Sequence, residues 1–200
     1  MAHDPTQLPT SLPRPVDDGA ASHLPGMTMP ALDLPSTDGS VQRVNAVPAG
    51  SQRFIIYAYP MTGVPGVELP PGWDDIPGAR GCTPESCGFR DHAAELSALG
   101  AAVAGLSTQS TPYQQEVVSR LGLPFPLLSD ASLTLTNALR LPTFDIETAS
   151  LHDGAGVKTL LRRLTLVIRD GHIEKVFYPV FPPDKHADEV LAWVAENPAK

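Results

Sequence analysis

Apolar positions fall in runs whose spacing changes along the chain. Residues 53–59 (RFIIYAY) form an unbroken apolar, aromatic and β-branched run, which predicts a central strand covered on both faces. Residues 101–107 (AAVAGLS) repeat that pattern. Between them Phe89, Ala93 and Leu96 recur at helical spacing, predicting a helix over 83–99 that Gly100 closes. Thr111-Pro112-Tyr113-Gln114 supplies a capping residue, Pro in the first turn and Gln at the capping-box position; the helix then carries Tyr113, Val117 and Leu121 on one face up to Gly122. A short strand follows over 125–128, and Ser129-Asp130 caps a short helix containing Leu133, Ala138 and Leu139. Runs at 160–168 and 173–178 flank Asp170-Gly171, a hairpin dipeptide, and Pro182-Pro183-Asp184 opens a last helix bearing Val190, Leu191 and Val194. Residues 32–40 read as a short extended piece with a turn at Asp38-Gly39. Strands alternating with helices and ending in a hairpin predict an α/β fold: a mixed central β-sheet with helices on both faces.

Two stretches lack periodicity. Residues 1–25, rich in Pro, Ser, Asp and Gly, read as a flexible Pro-rich N-terminal arm, leaving 26–200 as the folded domain. Residues 60–80 hold Pro60, Pro65, Pro70, Pro71 and Pro77 with several glycines, a density of Pro that no helix or central strand survives. A loop of that length in a compact domain points to function.

Composition narrows the classes. The chain has 200 residues, 42% of them hydrophobic, enough for a self-sufficient core. A formal net charge of -8 without clustered Lys and Arg excludes nucleic acid as partner. No apolar run reaches the ~20 residues of a membrane span, and the N-terminus shows no basic start followed by an apolar stretch, so the expectation is a cytoplasmic protein with no membrane partner. In that compartment paired cysteines are more often catalytic than structural.

The cysteines are two, Cys82 and Cys87, within Gly81-Cys82-Thr83-Pro84-Glu85-Ser86-Cys87. Pro84 is tolerated only in a first turn, so Cys82 or Thr83 caps the helix and Cys82 meets converging N–H groups and the positive end of the dipole. Such a place lowers a thiol pKa from ~8.5 and favours the nucleophilic thiolate. In an ideal helix Cα atoms five residues apart lie ~8.6 Å apart and point ~140° apart around the axis. A disulfide needs less than ~7 Å, so the two cannot bridge unless the first turns unwind. Other readings compete. Cytosolic cysteines are often small buried hydrophobes. A zinc pair would need two more ligands, and His92, His152, His172 and His186 are scattered. A thioredoxin-like reductase uses two intervening residues where this chain has four.

Tyr59-Pro60, then Cys82-Thr83 through Cys87-Gly88-Phe89-Arg90-Asp91, resemble the peroxiredoxin family, in particular its bacterioferritin comigratory protein subgroup. Gly105-Leu106-Ser107, the segment Leu123 to Asp130 and Arg163 to Ile168 match later family segments, so that the resemblance runs from about Leu32 to Trp193. It implies a thioredoxin-like fold, with Cys82 as peroxidatic and Cys87 as resolving cysteine. Arg163 would be the arginine beside the thiolate, holding it and orienting the peroxide oxygens. Strand alternation puts Arg162 and Arg163 on opposite faces, so one can point inward. The family places Thr three residues before the cysteine. Here Val64 or Ala79 stands at that place, depending on the end from which one counts, and an insertion separates Pro60 from Cys82. The expected substitute is the Thr62 hydroxyl, with Thr83 or backbone N–H groups alone as alternatives. Trp73, Asp74 and Asp75 of the insertion either shape access to the site or shield the loop.

The implied function is a thiol-dependent peroxidase that reduces hydrogen peroxide or organic hydroperoxides. Cys82 becomes a sulfenic acid, Cys87 resolves it as an intramolecular disulfide, and a thioredoxin-like dithiol restores both thiols. No cofactor or metal is required, and monomer and homodimer are both compatible. Two rivals on the same fold are a thiol–disulfide oxidoreductase, which would reduce protein disulfides but consume little peroxide, and a redox-sensing or holdase module, which would oxidise without recycling.

Overall fold

The computed structural model describes residues 8–9, 11–148 and 156–199; His152 lies outside them. Nine strands and five helices occur among the described residues: β1 Asp33–Pro35, β2 Val41–Arg43, β3 Arg53–Ala58, α1 Cys82–Asp91, α2 Ala93–Ala98, β4 Ala101–Ser107, α3 Thr111–Leu121, β5 Leu127–Ser129, α4 Thr134–Leu139, β6 Thr143–Thr148, β7 Gly156–Leu161, β8 Leu164–Arg169, β9 His172–Phe177 and α5 His186–Glu196. The central sheet runs β5-β4-β3-β8-β9. β3, β4 and β5 are parallel, while β8 and β9 run antiparallel to their neighbours. This is the mixed sheet that the strand and helix order predicts.

The unbroken apolar run of β3 has a simple cause. Phe54, Ile56 and Ala58 belong to one core with Leu135 and Leu139 of α4, while Ile55, Tyr57 and Tyr59 belong to another with Phe89, Leu96, Val117 and Val190 from the other helices. Alternate side chains feed opposite cores, so every position is buried. Asp170 and Gly171 both have positive φ, 50° and 76°, and join the paired residues Arg169 and His172 as a two-residue hairpin turn. Asp130 accepts from the amides of Leu135 and Thr136 and so anchors α4, but the helix starts later than expected, at Thr134, with Leu133 as its N-cap.

Several expectations are corrected. The stretch 83–99 is two helices, because the chain kinks at His92 (φ -97°, ψ 5°), whose ring is held between Glu95 and Asp188. The run 160–168 is likewise two strands. β7 leaves the central sheet to pair with β6, and the link through Arg162 and Arg163 turns one guanidinium inward. β5 lies two residues later than expected at its start. Ser110, not Thr111, caps α3, and Gln114 makes no capping box: its amide is buried and donates to Ser107 Oγ and the Leu128 carbonyl. Before α5 a short 3₁₀ turn spans Pro183–Lys185.

The described part of the N-terminal arm is docked on the domain at several points, although residues such as Val16 stay exposed. Ala21 and Leu24 are buried in the α4-side core, His23 Nε2 bonds the Leu139 carbonyl and the Gly26 amide donates to Ile173. Arg14 stacks on Phe181, and the Tyr178 hydroxyl donates to Asp18. Pro-rich composition conceals this because the arm docks without helix or strand, through single apolar side chains and local turns.

Tyr57 ties the sheet to the first turns of α1. Its ring stacks on Phe89 at 4.4 Å and its hydroxyl donates to Ser86 Oγ at 3.1 Å. Its neighbour across the sheet is Gly105, where an added Cβ would stand 2.4 Å from Leu127 Cδ2 and 2.8 Å from the Tyr57 phenol. Gly105→Ala therefore overpacks the sheet at the point that supports α1. The expected cost is about 1–3 kcal/mol, read as a lower urea midpoint with an unchanged slope; an unmoved midpoint would show that Tyr57 shifts freely.

Candidate active site

Cys82 is the first residue of α1 and Gly81 caps it with φ 106°. A side chain at residue 81 is excluded by more than this left-handed backbone: an added Cβ would stand 2.3 Å from Pro183 Cγ. The Cys82 side chain is 3% exposed. Four groups surround its sulfur. Arg163 Nη2 donates to Sγ at 3.1 Å, the Met61 backbone amide is hydrogen-bonded to it, and the sulfur itself lies 3.6 Å from the Ala79 carbonyl. Glu85, one turn along α1, is fully buried and ion-paired with Arg163 Nη1. Arg163 Nε donates to the Gly78 carbonyl, and Nη2 also reaches the carbonyls of Ala79 and Arg80, each at 3.3 Å. A single guanidinium thus joins the nucleophile, a carboxylate and the end of the insertion.

The insertion folds over this site. Trp73, in a 3₁₀ turn at Trp73–Asp75, is buried with Met61, Ala79, Ile146 and Leu160, against Leu69, Ile76 and Phe144. The β6–β7 hairpin provides the far wall of that cluster. Cys87 lies within the intact helix as a free, half-buried thiol.

Comparison with known proteins agrees with this geometry. The Redoxin family model matches residues 24–191. Peroxiredoxin Bcp of Escherichia coli is 30% identical over 86% of this chain and 96% of its own length. A putative peroxiredoxin bcp of Coxiella burnetii is 30% identical over 83% of this chain and 95% of its own. The crystal structure of peroxidoxin BcpB from Mycobacterium tuberculosis superimposes with a TM-score of 0.65 at 26% identity, covering 88% of this chain and all of that one. The chain belongs to the peroxiredoxins. Its fold is thioredoxin-like and its activity is that of a thiol-dependent peroxidase.

The electrostatics of this peroxiredoxin differ from the expectation of an acidified thiol. Burial pushes the Cys82 thiol up from its ordinary value. Arg163 pulls it down, the Glu85 carboxylate pushes it up again, and the Met61 amide assists Arg163. The net direction is upward, because the carboxylate offsets part of what the guanidinium gives and water is excluded. Burial also raises Glu85, against the pull of Arg163 and His186. Cys87 is raised too, mainly by its partial burial, with Arg90 opposing. Burial thus favours the thiol form at both sulfurs, while the Arg163 guanidinium favours the thiolate at Cys82.

The structure joins Cys82 and Arg163 as expected, with Cys87 on the same helix. Arg162 faces the other way, its guanidinium over the Phe144 ring. Thr62 is corrected: its hydroxyl donates to Gln109 Oε1 at 3.1 Å and its carbonyl accepts from Tyr113, so it serves the α3 entry, not the sulfur. The backbone alternative is favoured instead, through Met61. Thr83 is buried with an Oγ1 that has no partner among the described residues, and it lines the recess at Cys82. The sequence reading does not single out Glu85, whose signal is a carboxylate three residues after the cysteine and hence on an adjoining helix face.

Replacing Glu85 by Gln removes the carboxylate that raises Cys82 while leaving Arg163 in place. The thiolate titration, followed by alkylation rate against pH, is expected to move to lower pH. Below the midpoint the rate at a fixed pH then rises, by about tenfold where the midpoint falls by a full pH unit. A midpoint that moves to higher pH, or stays in place, would show that Glu85 acts only as a prop for Arg163.

Proposed function

We propose that Cys82 is the peroxidatic sulfur, Arg163 the group that holds its thiolate and the peroxide, and Cys87 the resolving thiol. The observation that carries this is the Arg163 Nη2 donor 3.1 Å from Cys82 Sγ in a buried site. The thiolate attacks one peroxide oxygen and the O–O bond breaks. Cys82 becomes a sulfenic acid, and the leaving oxygen takes a proton to depart as water or an alcohol. Donors already aimed at the site, the guanidinium and the Met61 amide, stabilise the charge that develops on the oxygens.

Cys87 then attacks the sulfenic sulfur, releasing water and forming the disulfide. On the intact α1 that bond is out of reach, so the first turns unwind. Gly88 weakens the middle of the helix, and no side-chain hydrogen bond caps its start. A thioredoxin-like dithiol takes up the disulfide and returns two thiols. Both cysteines lie in one chain, so the cycle is complete in a monomer and equally in a homodimer. The reducing cytoplasm is the compartment in which such a pair turns over.

Cys82→Ser is expected to lower peroxide consumption by about 10³-fold or more. Cys87→Ser should accumulate the sulfenic acid after one turnover, seen by mass as one added oxygen, where the wild-type protein shows an intramolecular disulfide. Bridging that persists between chains in Cys87→Ser, or full turnover without Cys82, would overturn the assignment.

A further inference from the structure

The insertion at residues 60–80 leaves very little room over Cys82. The recess that reaches the sulfur has a volume of about 10 Å³ and is walled by Met61, Leu69, Trp73, Arg80 and Thr83. That is the space of roughly one water molecule. Trp73 is 3% exposed, so its indole is packed into the wall and does not lie in solvent. It is wedged against the β6–β7 hairpin, with its ring 6.2 Å from Phe144. The Arg80–Asp74 ion pair at 3.1 Å closes the insertion on itself, and Arg163 grips the carbonyls of residues 78–80.

The recess is also equipped for a small hydroxylic molecule. Thr83 Oγ1 is buried without a partner among the described residues, a state that costs free energy unless a guest supplies a hydrogen bond. A second cavity, of about 500 Å³, lies beyond Met61 between Gln109, Tyr113, Leu133 and Leu160. It is large enough for a hydrocarbon tail, but Cys82 is not among the residues that line it.

Resting on the assignment of Cys82 as the peroxidatic sulfur, we propose that Trp73 makes this peroxidase selective for hydrogen peroxide by excluding the carbon substituent of organic hydroperoxides. Hydrogen peroxide is two oxygens with no substituent, and a small displacement of the recess walls admits it. There it meets Arg163, the Met61 amide and the Thr83 hydroxyl. A bulky alkyl or aryl group on the peroxide must take the volume that the indole fills. Entry then demands that Trp73 leave its packing against the hairpin. Selectivity by excluded volume is a property of Trp73 and its neighbours, independent of the charges around the sulfur.

The test is the rate of Cys82 oxidation by hydrogen peroxide and by cumene hydroperoxide, followed under single-turnover conditions in the full-length protein. The wild type is expected to react with hydrogen peroxide faster by roughly tenfold or more. Trp73→Ala should raise the cumene hydroperoxide rate and bring the two rates within about threefold of each other. Trp73→Leu, which keeps an apolar side chain in the cluster, should narrow the ratio in the same direction and reads the effect if the alanine variant does not fold. Equal wild-type rates would overturn the proposal and place the organic tail in the larger cavity. An unchanged ratio in a folded variant would also overturn it. Failure of either peroxide to oxidise Cys82 would instead remove the catalytic assignment on which the proposal stands.

Discussion

A guanidinium taken wholly out of water must find protein partners for its donors, and the site is arranged around that requirement at Arg163. The partners are the Glu85 carboxylate, the Cys82 sulfur and three carbonyls of residues 78–80. Each belongs to a different structural problem. Glu85 and Cys82 fix the first turn of α1, while the carbonyls fix the end of the insertion. Losing one partner leaves a buried charge uncompensated, which is far costlier than the pair itself is favourable. The site is therefore held in one arrangement by the burial of a single cation.

The same arrangement pushes the Cys82 thiol up from its ordinary value. A cation beside a thiol favours the thiolate, and so does a helix N-terminus. Here the cation is shared with a carboxylate, and Cys82 is buried beneath the insertion. Desolvation and Glu85 together outweigh Arg163. Burial is the largest of these influences, so contact with water would weaken the upward push on the thiol.

The helix that carries both cysteines is held in register from outside. Tyr57 reaches it from β3, Arg163 reaches it from the β7–β8 link, and Gly88 lets it lie close to Ala187 of α5, where a Cβ would approach to 3.2 Å. Its own capping is weak. Stability supplied by tertiary contacts, not by the helix itself, suits an element that must be complete for peroxide attack and open for the two sulfurs to meet.

The strands of the sheet, the hairpin at Asp170-Gly171 and the helix after Gly81-Cys82 were legible from the chain alone, because they rest on local periodicity, turn dipeptides and the position of Pro84. So was the pairing of a first-turn cysteine with an arginine far along the chain, through the family resemblance. Four matters lay beyond the sequence. The division of 160–168 into two strands depends on β7 choosing β6 as its partner. The docking of residues 11–25 depends on surfaces that exist only once the sheet is formed. The hydroxyl of Thr62 was drawn away by Gln109, and Glu85 was drawn in by Arg163, because a buried polar group takes whichever partner the packing brings within reach. Residue type and spacing determine which chemistry a chain can perform; the net charge state of its sulfur and the size of what can reach it are set by burial, which is a property of the folded whole.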